Sequence, residues 1–160
     1  MSPIARTLAG LALTTTLSTA VAAQGLVTQK NISLAMAPTI AQAAVAQCES
    51  MGFKVSVTVA DRAGLPIVML RGDGAGLHTP EGAERKACTA RTFSQPSADF
   101  VKRLTERLGS RQYTRVLALA GGLPIKAGSE VVGAVGVSGS PGKDDVGSQA
   151  GIDKVADQLK

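Results

Sequence analysis

An α+β domain, one antiparallel sheet built from two hairpins and flanked by helices, is predicted by three features of this 160-residue chain. Two pairs of strand-like runs each close over a short turn: FKVSVTVA with LPIVMLR, and LPIKA with EVVGAVGVS. Helical patterns stand before, between and after the two pairs. No linker or low-complexity block interrupts that order, which favours helices packed on a single antiparallel sheet.

Ser33 can cap a first helix running to about Met51. Leu34, Ala37, Ala41, Ala44 and Cys48 recur at spacings of three and four and form its apolar face. Pro38 is expected to kink this helix or delay its start, and Gly52 supplies the stop. Phe53, Val55, Val57 and Val59 alternate with Lys54, Ser56 and Thr58, the pattern of a half-buried strand. The turn Asp61-Arg62-Ala63-Gly64 leads into a second strand, Leu65 to Arg71, as an antiparallel hairpin. A second helix is predicted over about Pro80–Phe93, with Thr79 as N-cap and Pro80 as its first residue. Ser97 caps a third helix, whose inner face holds Phe100, Val101, Leu104 and Leu108. Tyr113 to Leu119 fits neither pattern. Leu123–Ala127 and Glu130–Ser138 form the second hairpin. The last helix runs from about Asp145 to Leu159, with Ile152, Val155, Ala156 and Leu159 inward.

The chain is 44% hydrophobic but holds only three Phe, one Tyr and no Trp. Its core must therefore be built from Val, Leu, Ile and Ala, which lets helices approach the sheet closely. Residues 1–23 read as a secretory signal peptide. Arg6 gives the basic start, Leu8 to Leu17 an uncharged apolar run, and Ala20-Val21-Ala22 or Val21-Ala22-Ala23 a small-residue cleavage pattern. The expected domain is 24–160, in a periplasmic or secreted location, with no later segment able to span a bilayer. The net charge of +5 is modest and its basic residues are dispersed. With so few aromatics to stack bases, nucleic-acid binding is excluded as a leading function. Cys48 and Cys88 leave two readings open: a disulfide, which an exported protein could form, or two buried thiols. Neither has metal-ligand spacing, and no second histidine exists for a zinc site.

Two stretches carry candidate chemistry. In GDGAGLHTPEGAERKA, residues 72–87, the sole histidine, His78, stands between three glycines and a helix N-terminus. Helix N-termini favour anionic or carbonyl oxygens, and glycines permit close backbone approach. His78 reads either as a helix-entrance residue, which the residues alone favour, or as a metal ligand. In the second case haem iron fits best, because one protein ligand suffices. In the second stretch, residues 121–145, Gly133 and Gly136 interrupt a valine-rich strand and mark a close approach by a ligand or another backbone. The glycine loop after it lacks a P-loop pattern, and Asp144 and Asp145 would repel phosphate, so turn geometry and helix capping explain it. No G-x-S-x-G is present to pair with His78 in a hydrolase.

The segments VTVADRAGLPIVMLRGDGA, HTPEGAERKACTARTF and GGLPIKAGSEVVGAVGVSGSPG, followed by an acidic helix start and QAGI, resemble the GlcG/HbpS family of haem-binding proteins in their order. The likeness covers nearly all of 31–159. It implies a profilin-like or PAS-like antiparallel sheet, frequent homo-oligomers, and binding of haem, with haem degradation and redox sensing in an extracellular branch. Where the family carries a tyrosine-like position, this chain has Cys88.

On that basis His78 is the leading axial candidate, with Tyr113, Met69 and Cys88 as lesser ones. Arg71, Arg85 and Lys86 are candidates for the propionates. Gly133 and Gly136 are expected to leave room for the porphyrin face. The alternative is a non-catalytic accessory or sensor module that holds a small carboxylate, such as a glycolate-like acid, at the helix after His78 and at Arg71. No residue demands catalysis.

Overall fold

A computed structural model describes residues 25–106 and 112–160. The predicted signal peptide and Leu108 lie outside the described residues. In chain order the elements are α1 (Met36–Ser50), β1 (Ser56–Ala60), β2 (Pro66–Arg71), α2 (Thr79–Phe93), α3 (Phe100–Glu106), β3 (Gly122–Ala127), β4 (Glu130–Ser138) and α4 (Asp144–Asp153). A 3-10 turn, Ser97–Asp99, leads into α3, and another, Ala156–Leu159, closes the chain. The four strands form one antiparallel sheet in the order β2-β1-β4-β3, joined through β1 and β4 from Ser56↔Ser138 to Ala60↔Ala134. This is the α+β architecture expected from the two hairpins. Both edge strands carry a proline, Pro66 and Pro124, which withholds a ladder donor at each edge.

The two faces of the sheet differ in kind. On one, Val55, Val57, Val59, Val135 and Val137 pack against Ile40, Ala41, Ala44 and Cys48 of α1 and against Val155. On the other, Ala60 and Ala134 meet Ala87 and Ala90 of α2. The α2 face is lined by small residues, and the fit is close. A Cβ at Gly136 would overlap Ala83 O and come within 2.7 Å of Ala87 N. One at Gly82 would lie 2.6 Å from Ser138 Oγ. The scarcity of aromatics thus becomes a helix pressed directly onto strand backbone.

That close layer corrects the first strand. Alternation predicted a half-buried strand, whereas all five residues of β1 are buried. Ser56 and Thr58 face α2 rather than water. Ser56 Oγ lies 2.8 Å from Thr79 Oγ1, while Thr58 Oγ1 has no hydrogen-bond partner. Helix entrances shift too. Ser33 Oγ accepts from Met36 N at 3.1 Å, but α1 begins only at Met36, and Leu34 is 70% exposed. Pro38 is its third residue, where the helix has a free N–H in any case. Thr79 is the first residue of α2, not its cap; its hydroxyl donates to Gly76 O at 2.7 Å, and His78 holds the cap position without a side-chain bond. The last helix stops at Asp153, so Val155 is buried as expected but Ala156 is exposed. Residues 113–119 are irregular. No helix among the described residues is long and apolar enough to cross a membrane.

Cys48 and Cys88 are both free and buried, so the disulfide reading is not realised. Burial pushes the Cys48 thiol up from its ordinary value, against a weaker lowering by its contact with Ser140. The folded chain therefore holds this proton more tightly than the unfolded one. The associated stability is complete below the ordinary thiol pKa and is lost as pH rises through the folded value. Two thiols per chain are expected to titrate after unfolding without reductant, with Cys48 unreactive at neutral pH until the fold opens. Recovery of no thiols would contradict this.

Candidate functional site

Three segments converge at the N-terminal end of α2. His78, Glu81, Gly82 and Arg85 follow one another at helical spacing along one face. Opposite them lie the irregular segment with Leu117, Leu119 and Ala120, and the loop after β4 with Gly139, Pro141 and Gly142. Together with Lys86, Ser138 and Asp144 they enclose a cavity of about 580 Å³, within the range of small-molecule sites. Its walls are mixed: leucines and proline on one side, ionisable groups on the other.

His78 is exposed at the rim of the cavity. Its ring folds over Gly76: a Cβ there would lie 3.0 Å from Cε1 and 3.3 Å from Nδ1. The glycine before the helix therefore makes room for the imidazole. Arg71 does not line the cavity. Its Nε and Nη2 donate to Ala75 O at 3.2 and 2.7 Å, pinning the turn that delivers His78. Arg85 donates through Nη1 to Glu81 Oε1 at 3.1 Å and through Nη2 to Val116 O at 2.9 Å. Its Nε is buried with no acceptor. Buried polar groups ordinarily find partners, and Thr58 Oγ1 and Arg91 Nε are the other buried side-chain atoms among the described residues without one.

Three expectations need correction. Lys86 is neither solvated nor available to a ligand carboxylate: its Nζ lies 2.7 Å from Asp144 Oδ2 and donates to Val137 O at 3.0 Å. The space over Gly136 is taken by the backbone of α2. That over Gly133 is taken by Ala60 O and the side chain of Ile32. Both glycines do mark close approach, but by the chain itself and not by a porphyrin. The lesser candidates lie elsewhere. Cys88 and Tyr113 line a separate cavity of about 390 Å³ with Thr92 and Phe93, and Met69 sits on edge strand β2. No cluster of three or more metal-ligating side chains occurs among the described residues.

Sequence reasoning missed the roles of Asp144, Leu117 and Leu119. Asp144 read as a helix start, which it is, but its partner lies 58 positions away. The two leucines lie in the segment without periodicity.

A family model described as haem degrading protein HbpS-like matches residues 32–152. The chain belongs to the HbpS-like family. The crystal structure of HbpS is 40% identical and superposes with a TM-score of 0.78, covering 83% of this chain and 97% of that one. A Citrobacter freundii relative, an uncharacterized 15.0 kDa protein in the dhaT-dhaS intergenic region, is 32% identical over 119 residues, 71% of this chain and 84% of its own length. The structure of a PduOC:heme complex shares the fold at 24% identity and a TM-score of 0.71, covering 77% of this chain and 94% of that one. The HbpS-like family thus has the α+β architecture described above, and its description concerns haem.

Proposed function

We propose that this protein binds haem in the cavity at the start of α2, with His78 as the axial ligand and Arg85 beside a propionate. One observation carries the reading: the chain's sole histidine sits on the rim of that cavity, on the same helical face as Arg85, which lines the cavity and is partly exposed. The residues suit the group. A neutral imidazole is a common haem-iron ligand. Leu117, Leu119 and Pro141 offer apolar surface to a macrocycle. A guanidinium donating to a carboxylate makes a strong, charge-assisted hydrogen bond. Bound haem would supply iron-centred redox and oxygen chemistry; the chain's part is to ligate, orient and shield it. The family's haem-degrading description supports the same ligand. Storage, sensing and degradation all begin with this binding step.

The proposal includes an exported setting. The signal-like residues 1–23 are removed, the mature chain works in the periplasm or outside the cell, and copies of it assemble as a homo-oligomer.

Titration of the mature chain with haemin is expected to give a saturable Soret shift. No shift overturns the haem reading. A glycolate-like acid that raises the thermal midpoint where haemin does not would establish the small-carboxylate alternative instead.

A further inference from the structure

We propose that Lys86 and Asp144 are positioning residues, whose buried pair clamps the loop after β4 against α2 and so sets the width of the cavity. The inference rests on reading that cavity as the ligand site. Lys86 is 3% exposed and Asp144 8%. Lys86 Nζ reaches Asp144 Oδ2 at 2.7 Å and Val137 O at 3.0 Å. The second carboxylate oxygen, Oδ1, accepts from Ser140 N at 2.8 Å and from Ser140 Oγ at 2.7 Å. One ion pair therefore ties α2, the end of β4, the loop and the start of α4 together.

Besides this pair, the loop is held by a contact of 3.7 Å between Ser140 Oγ and Cys48 Sγ and by its own bond from Lys143 N to Ser140 O at 2.8 Å. Gly139 and Gly142 adopt positive φ, and Pro141, Gly142 and Lys143 are exposed. Ser140 is its one fully buried residue, and both its amide and its hydroxyl are bound to Asp144. The third wall leans on the same pair. A Cβ at Gly121 would lie 2.6 Å from Asp144 Cβ and 3.2 Å from Lys86 Cδ. An apolar pair of similar volume would fill this space without the desolvation cost. What the charges add is direction: they fix Ser140, and through it the wall that carries Gly139, Pro141 and Gly142.

Single substitutions leave a buried partner unpaired, so the deciding variant is Lys86→Met/Asp144→Leu, which removes both charges. Hydrogen exchange of the ligand-free full chain, read by mass spectrometry, is expected to rise about tenfold or more at 138–143 and 117–121 while β1 and β4 keep their protection. Haemin affinity is expected to fall about tenfold, a loss of about 1.4 kcal/mol, although His78 and Arg85 are intact. Unchanged loop exchange overturns the proposal. So does exchange raised throughout the sheet, which would make the pair general structural support, and so does wild-type haemin affinity in a variant with a loosened loop. A wild type that binds no haemin, together with loop-confined exchange in the variant, removes the haem reading and leaves the clamp standing.

Discussion

Lys86→Ala is expected to destabilise the protein by about 3–5 kcal/mol, because it strands a buried carboxylate. Asp144 keeps its two bonds from Ser140 but loses the cation 2.7 Å from its other oxygen. Val137 O loses a donor as well. Both side chains are almost wholly buried, so little water is in place to replace what is removed. Urea unfolding followed by circular dichroism measures the effect, with the midpoint falling and the slope unchanged. A change below about 1 kcal/mol, the value of an exposed pair, would show that water reaches this site. Removing both charges is expected to cost the fold much less than removing one.

Gly136→Ala is the second large effect, about 3 kcal/mol or more, at the upper end for overpacking. The obstacles to a new Cβ are Ala83 O and Ala87 N, both backbone atoms of a helix held along its length. A flexible side chain could turn aside, whereas here α2 must lift from β4. The shift would open the small-residue face and displace the N-terminal turn that carries His78. Thermal unfolding reads the loss. A midpoint within a degree or two of wild type would mean that α2 does not pack as closely as described.

The element order was legible because the periodicities are clean: period two in both hairpins, spacings of three and four in the helices. The burial of β1 was not legible. Ser56 and Thr58 are polar, and nothing local says that a helix of alanines and glycine will cover them. Gly133 and Gly136 were read correctly as points of close approach and wrongly as space for a ligand, since sequence does not say what comes near. His78 and Arg85 could be placed on one helical face by spacing. The partner of Lys86 could not, because the pairing of α2 with the start of α4 exists only once the sheet has brought β4 between them. The cavity wall of Leu117 and Leu119 lies in an irregular segment, where no period exists to be read.

The central claim is that the lone imidazole at the cavity rim holds haem iron, and the visible spectrum of the haemin-loaded protein tests it most directly. Wild type and His78→Ala are compared at equal haemin. Ligation by His78 predicts a Soret shift in wild type that is displaced in His78→Ala, with affinity reduced about tenfold or more, equivalent to at least about 1.4 kcal/mol. The fold should persist, because the exposed His78 side chain makes no hydrogen bond that α2 depends on. Identical spectra and affinities in the two proteins would contradict it and remove His78 as the ligand.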